Sequence, residues 1–587
     1  MERRNDIDLF KGIAILAIVF YHVGLLPYGF AGVEIFLTVS GFLLIPKLTV
    51  RITSGEFHYF PWLFRHLFRI WPITLAASTV CLIAGYFLMY PDSYENLAES
   101  VVASDLFANN FLGAIATRNY WDSINEYKPL MQMWYLGILA QFYVLFPVVL
   151  YLSYRCLRKF AGKSWDIFAV AFLGSMSLIA YFVSETPFTQ KFYFLQYRIW
   201  EFAAGGIAGL LVSRKIRVNS RPFPIIVLTV IVMLLCYDFT PLSGIDNLTI
   251  VGATDLSGSA SVKMTVTVIA AFTSALFLTS GIRIKKGFIC FLGMISLSIF
   301  VWHQVILAFL RGSFIETFSV RQFALYLFSV LAVGYISYIT VERIKLKMLL
   351  SRIIFFIMLI AVTFTAFMIY RNAGVVRDVP ELGITLDNPY ANRNTEFIDR
   401  FYGADREFTT DKVHVLVIGP SYARDFAGIL LMYDKEESLE ISYKTNVEAV
   451  EDSRLRDADY TFFFGPGTDI PVTKLRVLSP DCKVYGISTK YFGRYFGLIY
   501  ANRNKPGYFK QTVSANAVCD SINSQWARTW PEGHFIDLMK IVKLPDGSIP
   551  VFTDTNKAIS FDCRHLTPDG CEYYSRLIDF RKIFTAE

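Results

Sequence analysis

The chain has 587 residues, 54% of them hydrophobic, with a mean hydropathy of +0.43 and a formal net charge of +7. So apolar an average excludes an ordinary soluble protein of this length. The excess positive charge falls in short loops between apolar runs rather than on one surface, which argues against a nucleic-acid partner.

Windows of about 20 apolar residues recur along the first two-thirds, the length that crosses a bilayer. They predict a polytopic α-helical membrane domain with about eleven spans, at 8–27, 31–49, 71–90, 134–153, 166–184, 195–212, 223–238, 264–281, 288–310, 321–341 and 351–370. The first run is too long for a removed signal peptide and lacks a small-residue cleavage site. With a cytoplasmic N-terminus, the inside segments include MERRN, KLTVRITSGEFHYFPWLFRHLFR, YRCLRKFAGK, SRKIRVNSR, RIKKG and ERIKLK, all basic. The opposite loops, YPDSYENLAES and DFTPLSGIDNLTIVGATDLSGS, are acidic or neutral. The positive-inside rule then predicts that the chain lies outside the cytoplasm from about Arg371 onward.

The first span, in AILAIVFYHVG, carries His22. An imidazole in an apolar run marks a pathway or a site, or sits at the interface in contact with water. Lys11 lies eleven residues earlier; three helical turns take about 10.8 residues, so both point the same way, about 16 Å apart. The second span holds Glu34 and Ser40. A buried acid needs a partner, and His22 is the nearest candidate, whether to orient the imidazole or to tie two helices together. In RHLFRIWP, Arg65 and Arg69 are four apart on one helical face. Such a pair suits phosphate, whether of a ligand or of lipid head groups.

From 372 to about 409 the chain is polar, with proline and glycine, and reads as a linker. From 410 to 587, VHVLVIG, ISYK, YTFFFG, KVYGIS and FIDLMKIV alternate with helical stretches and predict a soluble α/β domain of three layers around a largely parallel sheet. VHVLVIGPSYARDF reads as strand, tight turn and helix, which exposes Ser421 at the top of the sheet near a helix N-terminus. In FDCRHLTPDG, Asp562 and His565 are three apart, so a carboxylate is placed to orient an imidazole that would deprotonate Ser421. Cys482, Cys519, Cys563 and Cys571 allow three disulfide pairings, with Cys563–Cys571 the local choice, and no CxxC spacing points to a metal. Tyr491, Phe492, Tyr495, Phe496 and Tyr500 would stack on sugars or belong to the core.

Six blocks in order, HVGLLPYGFAGVEIFLTVSGFLL, RHLFRIWP, PLMQMWYLGILAQFYVLFP, QYRIWEFAAG, FLGMISLSIFVWHQV and SYITVERIK, resemble the acyltransferase-3 family of membrane O-acyltransferases over residues 1–350, with 351–371 as an additional transmembrane helix. The resemblance implies transfer of an acyl group, usually acetyl from acetyl-CoA, onto a cell-surface glycan such as lipopolysaccharide O-antigen. It implies that His22 is the catalytic histidine and that Arg65 and Arg69 lie near the CoA phosphates. It also places Glu34 at the family's acidic position, Ser40 in its SGF motif, Glu201 after Arg198 and Trp200, and His303 in WHQV, with a catalytic or a structural role. The chain departs from the family where Lys11 replaces arginine, Gln132 replaces histidine, and Leu139 and Ala140 stand in place of glutamates.

The outer domain resembles the SGNH hydrolases, which are often fused after such a membrane half. That resemblance implies nucleophile Ser421, base His565 and orienting Asp562, and leaves open an acyl-Ser421 intermediate. Pro420 stands where the family has Asp or Asn, the oxyanion glycine is Gly465 or Gly467, and Tyr491 occupies the place where asparagine is expected. Two other functions compete: a transporter or flippase with a sugar-binding outer domain, and a glycan esterase. The absence of an internal repeat weighs against the transporter.

Overall fold

The computed structural model describes residues 4–116, 127–217, 222–236, 260–282, 284–314, 318–343, 349–389, 397, 400–401 and 403–584. The loop at 238–259 and parts of the basic segments at the N-terminus, 213–221 and 342–347 lie outside the described residues. The chain divides into two units, Met1–Gly374 and Val375–Glu587.

The first unit is a bundle of helices: α1 Asn5–His22, α2 Gly32–Thr53, α3 Tyr59–Leu88, α4 Pro91–Asp105, α5 Trp134–Ala161, α6 Trp165–Val183, α7 Ile199–Ser213, α8 Pro222–Cys236, α9 Ala260–Ser280, α10 Phe288–Met294, α11 Ser296–Ser313, α12 Val320–Ser337 and α13 Leu349–Arg371. Among the described residues, six helical stretches are long and apolar enough to cross a membrane, or seven if a bent pair counts as one span. This makes a multi-pass membrane protein. By length and composition, however, the expected count of about eleven is not reached among the described residues, although the stretch Met131–Val183 alone covers two of the expected windows, 134–153 and 166–184. α7 and α8 are apolar but short, and α1 carries Asp6, Asp8 and Lys11.

Two expected spans take a different form. The third helix begins at Tyr59, twelve residues before the apolar window opens, so RHLFRIWP is already helical, with Pro72 inside it. The ninth is not one rod: α10 and α11 meet at a bend of 80°. Gly293 of α10 lies against the backbone of α1, where a β-carbon would stand 1.7 Å from the Asp8 carbonyl oxygen.

Glycine also sets the distance between α2 and α7. A β-carbon at Gly205 would lie 1.8 Å from the Thr38 carbonyl oxygen, and one at Gly41 would lie 1.9 Å from that of Phe202. Without a hydrophobic drive between helices in lipid, such close backbone approach supplies the packing energy.

The second unit holds a five-stranded parallel sheet in the order β2-β1-β3-β4-β6 and a two-stranded antiparallel sheet of β5 and β7. The strands are β1 Val413–Ile418, β2 Leu439–Lys444, β3 Tyr460–Phe464, β4 Lys483–Ile487, β5 Thr512–Ser514, β6 Phe535–Ile536 and β7 Ser548–Pro550. Successive side chains of β3 go to opposite faces, as the pleat requires. Phe462 packs on Phe426 with ring centroids 4.9 Å apart, while Phe463 joins Leu416, Leu455 and Ile470. Both faces are therefore covered, which explains the unbroken apolar reading of VHVLVIG. Residues first read as linker are stitched into this unit: buried Glu381 accepts the Tyr508 hydroxyl at 2.7 Å, and its carbonyl accepts Ala558 N–H at 2.8 Å. All four cysteines of the unit are free. The expected Cys563–Cys571 bridge is absent, because Cys571 Sγ turns to the Asp425 carbonyl at 3.6 Å.

Two outcomes follow. Gly205→Leu should push α7 off α2 and lower thermal stability by about 1–3 kcal/mol, whereas Gly287→Ala, in open space, should leave the melting temperature unchanged. In the second unit, burial pushes the Glu440 carboxyl up, but the hydroxyl and N–H groups of Thr410 and Thr409 bring it down to about 2. Its stabilisation is complete above its usual 4.5 and is lost as pH falls toward about 2. Amide protection at Thr409 and Thr410 should decline through that window, and Glu440→Gln should flatten the decline.

Candidate active sites

One cavity of about 210 Å³ lies between α1, α2, α3, α5 and α11. Lys11, Lys47 and Arg69 line it, with Ser40 and His66, so the space collects cations at the ends of long side chains. Ser296, the first residue of α11, lines it too. The bend before α11 thus aims a helix N-terminus, with its unsatisfied N–H groups and positive dipole end, at the same space. Of the pair in RHLFRIWP only Arg69 reaches the cavity; Arg65, on the same helix, does not line it. His66 was passed over in the sequence, since nothing in its spacing separates it from an ordinary interfacial histidine. Leu139 and Tyr143 make the wall apolar where the family has an acid.

The cavity ends on three rings. Phe36, Tyr135 and Phe300 lie with centroids 5.0–6.4 Å apart, and Phe300 in turn lies 5.7 Å from His303. His22 does not line the cavity; it stands at the end of α1 with its ring centroid 4.9 Å from that of His303. His22 Nδ1 is 2.9 Å from the Ile18 carbonyl and 3.3 Å from His303 Nε2, and His303 Nδ1 is 2.7 Å from the Phe300 carbonyl. A carbonyl only accepts, so each Nδ1 carries the proton. His303 Nε2 is then an acceptor facing His22, and His22 Nε2 keeps its lone pair as the basic atom. Arg311 donates to the His22 carbonyl at 2.8 Å and holds the helix end in place. Gln132 donates to the Val301 carbonyl at 2.6 Å, beside His303.

Glu34 does not pair with His22. It meets Arg198 at 2.9 Å, and Arg198 meets Glu201 at 2.9 Å, all three fully buried. The partner lies 164 residues away in sequence, on the stretch that leads into α7. The cluster therefore joins helices and stands apart from the imidazole pair.

In the second unit, α14 (Ser421–Tyr433) starts directly after β1 and a turn in which Gly419 takes φ +141°. Ser421 Oγ lies 2.7 Å from His565 Nε2, and His565 Nδ1 lies 2.5 Å from Asp562 Oδ2. Asp562 Oδ1 accepts the N–H groups of His565 at 2.7 Å and Arg564 at 2.9 Å. Burial pushes the Asp562 carboxyl up, but the hydrogen bond and charge of His565, with those N–H groups, hold it below the usual carboxylate range. Beneath this, Asp425 accepts Leu566 N–H at 2.9 Å and Lys490 Nζ at 2.7 Å, which pins the loop carrying His565 to α14.

Neither glycine expected as an oxyanion donor is available. Gly465 N–H goes to the Ile487 carbonyl at 3.2 Å, and Gly467 N–H goes to Thr529 Oγ1 at 2.8 Å. Tyr491 N–H faces Met539 Sδ at 3.1 Å. What remains is the Ser421 N–H, in the first turn of α14 and without an intrahelical acceptor. Phe492, Phe496 and Tyr500 are buried core residues rather than a sugar platform. The rings beside Ser421 and His565 are instead Tyr422, 5.7 Å from His565, and Phe464, 5.3 Å from Tyr422. Among the described residues no group of three His, Cys, Asp or Glu side chains is placed to hold a metal ion.

Comparison with known proteins bears on the first unit. Residues 4–339, more than half the chain, match the acyltransferase domain family. A protein of Komagataeibacter xylinus named as a membrane-bound transacylase, BcsY, is 27% identical over 223 residues, which are 37% of this chain and 53% of that protein. The peptidoglycan O-acetyltransferase OatA of Listeria monocytogenes is 24% identical over 204 residues, 34% of this chain and 32% of its own. A Staphylococcus aureus protein named as an O-acetyltransferase is 25% identical over 197 residues, 33% and 32% of the two chains. The chain thus spans about half the length of the first relative and about a third of the other two. No solved structure matches. The cation-lined cavity, the paired imidazoles behind it and the match over residues 4–339 agree: the chain belongs to the acyltransferase-3 family.

Proposed function

We propose that the protein is an O-acyltransferase of the bacterial inner membrane, with acetyl as its acyl group and acetyl-CoA as donor, acting on a hydroxyl of a surface glycan outside the cytoplasm. The observation that carries this reading is the cavity whose cations and helix N-terminus suit CoA phosphates, and whose lining residue Phe300 lies 5.7 Å from His303, the neighbour of His22. With the N-terminus cytoplasmic, as the basic loops suggest, the donor enters from inside. The apolar wall at Leu139 and Tyr143 suits the stem of a pantetheine thioester.

In this reading His22 Nε2 takes the proton of a hydroxyl as its oxygen attacks the thioester carbon. The carbon–sulfur bond breaks, and the same nitrogen returns the proton to the leaving thiolate. His303 acts through His22 by fixing its tautomer. Outside, Ser421 attacks the acyl carbon delivered to it while His565 takes the serine proton and gives it to the departing oxygen. A glycan hydroxyl then reverses the sequence, and its own proton passes through His565 to Ser421. The complete triad also supports an esterase reading, in which water takes the place of the glycan hydroxyl.

Release of CoA thiol by purified protein given acetyl-CoA and an acceptor tests the inner step. His22→Ala should lower it about 10²–10⁴-fold. His303→Gln should lower it roughly 10–100-fold and displace the acid limb of the pH–rate profile, which a purely structural histidine would leave in place. Full turnover in His22→Ala would reject the assignment. For the outer step, Ser421→Ala should reduce glycan acetylation about 10⁴-fold, as loss of a triad member does, while thiol release continues. Greater glycan acetylation in cells carrying Ser421→Ala would favour the esterase.

A further inference from the structure

A second cavity, of about 540 Å³, opens on a different face of α2. It is bounded by the ends of α2, α5 and α7 and the start of α6, along the segment YRCLRKFAGK and at the first residues of SRKIRVNSR. Nothing in the chemistry assigned above uses it. Arg158, Lys163 and Arg214 bring three cations to its wall, and Asp166 brings one carboxylate. That carboxylate is already committed to Arg214, which also donates to the Lys163 carbonyl at 2.8 Å. Arg158 donates to the Tyr154 hydroxyl at 2.6 Å and lies over its ring. Among the described residues, neither Arg158 nor Lys163 meets a carboxylate, so two positive charges face the space uncompensated.

A second observation concerns a residue in the wall of the same cavity. Thr49 is only 6% exposed, lines the cavity, and its hydroxyl has no hydrogen-bond partner among the described residues. A buried hydroxyl left in that state is costly unless something meets it. The flank of the cavity is apolar and open: Val50 lines it and is 63% exposed, and Pro46 and Leu210 line it too. A site for a soluble anion has no need of an aliphatic wall facing the bilayer. A headgroup that trails acyl chains does.

We propose that this cavity binds the phosphate of an anionic phospholipid, with Arg158 and Lys163 as its charge partners and the Thr49 hydroxyl as a donor to a phosphate oxygen. Basic pockets between helices at the inner face take such head groups, each cation near the surface adding to the affinity. The site is independent of the His22 chemistry and stands or falls without it.

Native mass spectrometry of the full-length protein, titrated with phosphatidylglycerol or phosphatidylcholine, tests the proposal. One phosphatidylglycerol should be retained in preference to phosphatidylcholine. Removing both charges with Arg158→Gln and Lys163→Gln should weaken that retention roughly thirty-fold and abolish the preference over phosphatidylcholine. Thr49→Val, which removes only the hydroxyl, should weaken it roughly fivefold. Arg155→Gln, on the same helix but outside the cavity, should change nothing. Unaltered retention in the double variant would overturn the proposal, as would an equal loss in Arg155→Gln, which would reduce the effect to general surface charge. Displacement of the lipid by inorganic phosphate at equal concentration would identify a soluble-anion site instead and would also overturn it.

Discussion

The membrane unit depends on a guanidinium held between two carboxylates in a place water does not reach. Arg198 ties Glu34 of α2 to Glu201 of α7 with all three side chains fully buried. Such a cluster is a poor source of net stability, because desolvation offsets most of the attraction, yet losing one member leaves an uncompensated charge and costs about 3–5 kcal/mol. Its value lies in register. The same two helices touch backbone to backbone at Gly41 and Gly205, so the ion cluster and the glycine contacts fix one rotation of α2. That rotation turns Phe36, Ser40 and Lys47 toward the first cavity and Thr49 and Val50 toward the second.

Much of this architecture is legible in the residues. Apolar windows locate the helices because burying polar backbone in lipid permits little else. The alternation after residue 410 gives a parallel sheet because both faces of its strands are covered. The contact of Ser421 with His565 and of His565 with Asp562 is legible because these residues sit at the strand end and at the terminal loop, which the fold brings together. The helix of RHLFRIWP was misplaced in its start because charged residues lower the local hydropathy without breaking a helix. The bend before Ser296 carries no proline to announce it; its cause is the packing of Gly293 on α1, visible only in three dimensions.

The other differences share one origin. Glu34 was matched to His22 because that histidine is close in sequence, whereas the partner that satisfies it comes from a distant segment. Gly465 and Gly467 carry suitable N–H groups, but Ile487 and Thr529 consume them. Number alone invites pairing of the four outer cysteines, yet all are free, and Cys571 turns to the Asp425 carbonyl instead. In every case composition supplies the chemical group, and tertiary contacts decide what that group is left to do.

The close approach of α2 and α7 has a consequence for how anything moves through the bundle. Backbones separated by less than a methyl group's width have no slack for sliding, so these two helices travel as one rigid slab. On the side of the imidazole pair, by contrast, the cation-lined chamber is walled by side chains, and Phe300, which lines it, lies 5.7 Å from His303. A ring can turn about its χ angles without any helix moving, so the chamber's wall at Phe300 is free to adjust where the α2–α7 slab is not.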